Sequence, residues 1–335
     1  MTTLTHESVR AVGVDIGLWN VGGAAAPTLV VASSRRLVDP LPVLETAVAT
    51  IGRPVNKVAL AHPAADAPSA DAEYVFAQVV ERADGQALDL TPECGHSMLA
   101  TATHLWANGR VRPGNGPLRL LTRRSGSPRV VECRIESLDA HARVYTAGLA
   151  FPLNAHATDG GARRPADEDF PLGRTPLSLR IAGSRVPLPV IVVQSGNPYA
   201  FVDASALGIT SRDALMAAGE ETRQVLREVR AQLAPRLGLG QSEVLPKPAL
   251  VVRTEQGATY ARALSTDHWH PGLALTGLVA LATLTANTTT EDTDLVIGHP
   301  GGTSAIGLRT RPDGRRVVVV ADRRVTRLAQ LPLET

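Results

Sequence analysis

The stretch Pro92-Glu93-Cys94-Gly95-His96-Ser97-Met98-Leu99-Ala100-Thr101-Ala102-Thr103-His104-Leu105-Trp106-Ala107 decides the fold. From Gly95 to about Ala107 it is small or apolar nearly all round, and a helix of that kind has to be buried on every side. A second segment, Gly272 to about Ala286, has the same character. Around both lie short β-branched and aliphatic runs punctuated by Pro and Gly: Thr28–Ala32, Val55–Ala61, Val130–Ile135, Val186–Val193, Ala249–Arg253, Asp294–Ile297 and Val317–Ala321. Such runs read as strands. Two strand-rich halves, each holding one wholly apolar helix, imply two copies of a strand cage around a central helix. The class is therefore α/β (α+β), although the letters of the two halves are too different to reveal a repeat. Ser211 is placed to cap a more ordinary amphipathic helix running to about Leu233, and the stretch Asn154 to Gly173 reads as a long surface loop.

The bulk composition narrows the function classes. The chain has 335 residues, enough for two domains, with 44% hydrophobic and 20% charged residues, the balance of a globular protein. Aromatics make up only 3%, so Ala, Val and Leu must fill the core. A net charge of +2 offers nothing to nucleic acid or an anionic membrane, and the pairs Arg123-Arg124 and Arg163-Arg164 read as solvated loops. Two cysteines, Cys94 and Cys133, are too few for a disulfide framework or a zinc cluster. Met1 to Arg10 lacks the apolar core of a signal peptide, and no apolar run approaches membrane-spanning length. A cytoplasmic protein acting on a small molecule is expected, with no nucleic-acid or membrane partner; a homodimer is left open.

Cysteine, lysine and histidine side chains carry the candidate chemistry. Cys94, just before a buried helix, would sit beside unpaired backbone N–H groups and the positive end of the helix dipole, which favour thiolate. The alternative is a small buried hydrophobe. The same helix start, with Gly95, could hold a carboxylate on its N–H groups. Lys57 interrupts the apolar strand Val55–Ala61; half-buried it would lose proton affinity and carry protons, whereas on an edge strand it would simply face water. His268, His270 and His299 lack a supporting ligand cluster, so no metal is expected, and His270 reads as a polar group at the start of the second buried helix. Val12-Gly13-Val14-Asp15-Ile16-Gly17 looks like a phosphate loop of sugar kinases, but Leu18-Trp19 follow it and no second phosphate motif accompanies it.

Taken in order, the pieces resemble the PrpF family of methylaconitate isomerases and oxalomesaconate tautomerases, within the diaminopimelate epimerase-like superfamily. Asn56-Lys57-Val58-Ala59 resembles that family's Ser-Lys-Val-Ala strand. Tyr74-Val75-Phe76-Ala77-Gln78-Val79 with Cys94-Gly95 resembles its Phe-Ala-Gln-Val and Cys-Gly-Asn segments. Gly196-Asn197-Pro198-Tyr199 resembles its Gly-Asn-Pro-Phe turn, and Leu245-Pro246-Lys247-Pro248 the Pro-Lys opening of a strand. Arg262, Ser265, His270 and Thr276-Gly277 follow its second helix start, and Gly298-His299-Pro300 its Gly-His-Pro-Ser-Gly turn. The resemblance spans roughly Val21 to Gly302.

It implies two pseudo-symmetric domains, each a β-barrel-like sheet around a central helix: residues 1–185 with a helix from about 95, residues 186–315 with a helix from about 272, and a return of residues 316–335 to the first. The cleft between domains would receive both helix amino ends. It also implies proton transfer without metal or organic cofactor, with Lys57 and Cys94 as base and acid and His96 and His270 polarising or positioning the substrate. Gly22, Gly23, Gly95, Asn197, Arg262, Thr276, Gly277 and His299 would line the binding site. This sequence departs from the family pattern where charge matters. The family's Arg-Gly-Gly-Thr-Ser-Lys loop is here Val21-Gly22-Gly23-Ala24-Ala25-Ala26, the Asn after Cys-Gly is His96, and the Ser of the His-Pro-Ser-Gly turn is Gly301. A cleft so stripped favours a less charged or bulkier substrate than a tricarboxylate, so a cyclase or tailoring role on a larger apolar metabolite is a second expectation, and ligand binding without turnover a third.

Overall fold

The structure is a computed structural model that describes residues 13–51, 54–64, 67–82, 85–111, 116–122, 128–139, 141–153, 169–182, 186–240 and 242–331. Most of the loop expected over Asn154 to Gly173, both arginine pairs and Val12 lie outside these residues. By internal contacts the chain divides into two units: one takes the described residues up to Phe151 together with those from Ala321 onward, and the other Pro152–Val320.

The first unit contains β1 (Asp15–Val21), β2 (Thr28–Ala32), α1 (Leu41–Thr50), β3 (Lys57–Pro63), β4 (Ala72–Arg82) and β5 (Gly85–Asp89). There follow α2 (Gly95–Ala107), β6 (Leu118–Thr122), β7 (Arg129–Asp139) and β8 (Val144–Pro152). The second unit has β9 (Leu177–Leu179), β10 (Leu188–Ser195), β11 (Asn197–Asp203), α3 (Arg212–Ala217), α4 (Glu220–Leu233) and β12 (Lys247–Arg253). It continues with β13 (Thr259–Ala263), α5 (Leu275–Ala286), β14 (Thr293–His299) and β15 (Gly302–Thr310), and β16 (Arg316–Leu331) begins in it and ends in the first.

In the first unit the order β1-β2-β3-β4-β6-β7-β8-β16, joined by pairing of β1 with β16, closes an eight-stranded barrel. Closure removes the exposed edges that an open sheet would present. Helix α2 threads the ring and touches β1, β2, β3, β4, β6 and β7. Residues Gly95 to Leu105 are all buried, as the sequence pattern requires. The polar members among them are accommodated locally: Ser97 Oγ lies 2.9 Å from Thr28 Oγ1, and Thr103 Oγ1 donates to the Leu99 carbonyl at 2.8 Å. In the second unit α5 is enclosed in the same manner, Leu275 to Thr283 being buried against β10, β11 and β15.

The repeat that the letters conceal is plain in the pairing. The first unit runs antiparallel β1–β2, parallel β2–β3, antiparallel β3–β4, parallel β4–β6, then antiparallel β6–β7 and β7–β8. The second unit runs the same series over β10–β11, β11–β12, β12–β13, β13–β14, β14–β15 and β15–β16. Parallel neighbours need a crossover. Each unit makes one with an outer helix after its second strand, α1 or the α3–α4 pair, and one with its enclosed helix after the fourth. The outer helices pack their apolar stripes, Val43, Leu44 and Ala47 or Leu226, Val229 and Leu233, against the outside of their sheets.

Two helix boundaries differ from expectation. Ser211 does cap a helix, its Oγ accepting from Ala214 N at 3.2 Å, but the helix ends at Ala217 and α4 starts afresh after Gly219. The break is held by side chains from elsewhere. Arg262 donates to the carbonyls of Leu215, Met216 and Ala218 at 3.0, 2.7 and 3.0 Å, and Trp269 Nε1 to that of Ala218 at 2.9 Å. The second enclosed helix begins at Leu275 rather than Gly272, because Gly272 N donates to His270 Nδ1 at 3.2 Å and Ala274 is extended. His270 therefore precedes the helix instead of opening it.

Gly277 lies where a Cβ would fall 2.9 Å from the Tyr199 ring and hydroxyl. Gly277→Ala should cost about 1–3 kcal/mol by overpacking, read as a lowered urea midpoint, whereas alanine at exposed Gly219, where nothing lies within 4 Å, should cost less than half as much.

Candidate active site

Within the first unit the sequence-derived residues Gly22, Gly23, Lys57, Cys94, Gly95 and His96 come together at the amino end of α2. Cys94 is the N-cap residue, extended at φ −139° and ψ 109°, and its side chain makes no capping bond to the helix. Its carbonyl accepts from the Tyr74 hydroxyl at 3.1 Å. Burial pushes that phenol well above its ordinary value, with Cys94 and Glu93 adding to the shift, so Tyr74 stays a donor. Lys57 opens β3, half-buried, with Nζ 3.4 Å from the Ala26 carbonyl. Since β3 lies between β2 and β4, the edge-strand reading of Lys57 fails. The β1–β2 turn is fixed by Ala24 N donating to Val21 O at 2.9 Å and Gly22 N to Arg324 O at 2.8 Å. Gly23 takes φ +83°, a left-handed conformation suited to glycine, and a Cβ there would lie 3.7 Å from His96 Nε2.

His96 is only 3% exposed. Its pKa falls from 6.5 to about 3, first through burial and then through the positive charges of Lys57 and Arg323. Arg323 was not anticipated from sequence. It lies on β16, beyond the run Val317–Ala321 read as a strand, and by two-residue alternation it shares the inward face of buried Val325 and of Arg327. That alternation was the available signal. Cys133, by contrast, is core: fully buried on β7, its thiol is raised far above the ordinary value by burial.

At the other end of α2, fully buried His104 accepts from Trp19 Nε1 at 3.0 Å and lies 3.3 Å from Asp15. Burial opposes ionisation of Asp15, but the His104 hydrogen bond and the charges of Arg110 and Arg327 outweigh it and hold the carboxyl below its usual range. Arg327 donates to the C-cap Asn108 at 2.7 Å and covers Trp19 at 4.7 Å.

The remaining candidates belong to the second unit. Asn197 Nδ2 donates to Thr276 Oγ1 at 3.3 Å, with the Tyr199 hydroxyl 3.5 Å away on the same atom, all buried in the first turn of α5. Gly277 is the packing contact for Tyr199 described above. His299 Nε2 lies 2.9 Å from Ser304 Oγ, and its ring approaches Gly272. A Cβ at Gly301 would come within 3.2 Å of the Pro271 carbonyl, which accounts for glycine at that position. Arg262 is not part of this group: besides its three carbonyl bonds it stacks on Trp269 at 4.2 Å, a structural clamp on the end of α3.

Comparison with solved structures agrees with this architecture. A methylitaconate Δ-isomerase superposes with a TM-score of 0.64 at 16% identity, covering 95% of this chain and 94% of that one. The chain has the diaminopimelate epimerase-like fold. A hydroxyproline epimerase from Agrobacterium vitis, solved with trans-4-hydroxy-L-proline, gives 0.57 at 14% identity over 95% and 91% of the two chains. A phenazine biosynthesis PhzC/PhzF protein from Clostridium difficile gives 0.50 at 11% over 96% and 100%. No family profile and no curated relative match the sequence. Among the described residues no helix is long and apolar enough to cross a membrane.

The buried imidazole has a measurable consequence. Between pH 6.5 and about 3 the unfolded chain protonates His96 while the folded protein does not. Stability therefore falls on acidification through that window, by up to about 1.4 kcal/mol per pH unit. His96→Gln should flatten this part of the curve, seen in urea unfolding at several pH values. Arg262→Ala should lower stability by about 1–3 kcal/mol through its orphaned carbonyls and leave ligand affinity unchanged.

Proposed function

We propose that the protein is a cofactor-independent isomerase or tautomerase that shifts a proton or a C=C bond in an unsaturated acid or activated carbonyl compound. The observation that carries this reading is the convergence of Lys57, Cys94 and His96 on the uncapped amino end of the enclosed helix α2. Lys57 accepts a proton from the carbon next to the activating group, and the double bond moves. Cys94 returns a proton at the far end of the allylic system. Solvent then resets both groups, so no atom or electron is gained or lost. The helix dipole and its first-turn N–H groups favour the enolate-like charge that builds during removal. His96, its pKa lowered to about 3 chiefly by burial, serves as a donor that does not compete for the proton.

Proton handling is read without knowing the physiological substrate. Purified protein incubated in deuterated buffer with a panel of unsaturated mono- and dicarboxylic acids should incorporate deuterium at the allylic carbon. Lys57→Ala and Cys94→Ala should each lower exchange at least a hundredfold. Exchange undiminished in Lys57→Ala would falsify the assignment of the base.

A second reading, a cyclase or tailoring enzyme for a larger apolar metabolite, is favoured by Ala24-Ala25-Ala26 in the turn beside Lys57. Under it, both variants keep their activity and shape alone holds the reactive conformer.

A further inference from the structure

The two repeats fill the carboxyl ends of their enclosed helices differently. In the first unit that end is packed with rings and charge. Trp19 Nε1 donates to His104 Nδ1 at 3.0 Å, Asn108 Nδ2 donates to Asp15 at 2.7 Å, and Arg327 covers the indole at 4.7 Å. Gly17 makes room for the rings, since a Cβ there would fall 2.7 Å from His104 Nδ1. Asp15 and Gly17, which give the chain its likeness to a sugar-kinase phosphate loop, thus serve ring packing.

Strand register identifies the counterparts in the second unit. Lys57 and Lys247 open equivalent strands, so the pair Leu29 and Val58 corresponds to Ala200 and Pro248. Gly17 opposite Val30 then corresponds to Ile191 opposite Phe201, and Trp19 opposite Thr28 to Val193 opposite Tyr199. At equal distances along the chain from the N-caps Cys94 and Ala274 stand His104 and Leu284, and Asn108 and Thr288. The indole has become a valine and the imidazole a leucine. What remains is a cavity of about 530 Å³ walled by Ile191, Phe201, Val251 and Leu284. It opens on the faces of β10, β11 and β12 opposite to the valines and leucines that pack under the outer helices. Interiors are normally filled to the density of organic crystals, and a space of this size is that of a small-molecule site. Two charged side chains border it. Asp203 Oδ1 accepts from Ser205 N and Oγ at 2.9 and 2.7 Å, while Oδ2 accepts no bond among the described residues. Arg253 is exposed and makes no hydrogen bond or ion pair among the described residues.

We propose that this cavity is a second small-molecule site and that it takes a flat aromatic heterocycle bearing a ring N–H. The ligand replaces the rings that the first unit supplies from its own chain. Its apolar faces lie against Ile191, Phe201, Val251 and Leu284, and its N–H donates to Asp203 Oδ2. Arg253 covers it from the rim, as Arg327 covers Trp19. The site lies in the other unit from Lys57 and Cys94 and does not depend on the isomerase reading.

The full chain is titrated by calorimetry at neutral pH with indole and with 1-methylindole, which keeps the ring and lacks the N–H. Wild type should bind indole with a Kd on the order of 0.1 mM. The methylated ring should bind about fivefold or more weakly, having lost its hydrogen bond to a carboxylate. Asp203→Asn keeps an acceptor for Ser205 but removes the charge. It should lower indole affinity about tenfold and leave 1-methylindole unchanged. Arg253→Gln should weaken both ligands about two- to fivefold. Ile191→Trp, which fills the cavity with a ring of the chain's own, should abolish binding of both. If circular dichroism shows that this variant is misfolded, Leu284→Phe is read in its place and should weaken both. Cys94→Ala, in the other unit, should bind as wild type does. No saturable binding of indole to wild type overturns the proposal, as does equal wild-type affinity for the two rings. Undiminished indole binding in both Asp203→Asn and the folded cavity-filling variant also overturns it, because the ring is then held elsewhere. Loss of binding in Cys94→Ala does the same by placing the ring in the first unit.

Discussion

A helix enclosed by strands has no water at its flanks, so every choice along it is dictated by fit, and the only freedom left is at its ends. A capping side chain is present at one surface helix, α3, and absent from both enclosed helices. At α3 the Ser211 hydroxyl satisfies a first-turn N–H, whereas the N-cap residues of α2 and α5, Cys94 and Ala274, provide no capping side chain. An enclosed helix that leaves its first-turn donors to something other than its own sequence concentrates positive potential at one point. The barrel then needs only to bring reactive groups to that point. The β1–β2 turn, the first residue of β3 and the inward face of β16 all do so in the first unit.

What could be read from the letters followed from this constraint. The pattern from Gly95 to Ala107 specified the enclosed helix to the residue, and β2 matched its run exactly, because full burial leaves a continuous apolar signature. The runs at 249–253 and 294–297 fell within the strands found, and those at 55–61 and 186–193 began two residues early. Boundaries set by tertiary contacts were not legible. Nothing near Ala217 announces that Arg262, more than forty residues on, will take its neighbours' carbonyls and stop the helix. Lys57 and Cys94 were visible because each interrupts an apolar pattern locally. Arg323 was not, since its meaning depends on β16 leaving one unit and closing the barrel of the other.

The long β16 strand also explains how charge can sit in so apolar an interior. Alternation places Arg323, Val325 and Arg327 on one face, and the fully buried valine shows which face that is. Arg327 is stabilised by the pole it meets, by Asn108 and by an indole surface. The opposite end has the reverse polarity, so the helix dipole by itself favours an arginine of the same strand less there. Uniform chemistry along a strand thus produces unequal environments, because the helix it flanks is polar end to end.

The internal repeat sharpens that inequality. Lys57 and Lys247 open equivalent strands, each half-buried at the head of the same burial series, and α2 and α5 are equivalent enclosed helices. The equivalence ends at the N-caps. Cys94 brings a dissociable proton to one helix; Ala274 brings none to the other. In the second unit the first turn is instead filled by the Asn197, Tyr199 and Thr276 side chains bonded to one another. That cluster fixes shape and leaves little capacity to carry a proton. A dissociable N-cap side chain is therefore found at one of the two enclosed helices, where Lys57 and Cys94 lie at the same helix end.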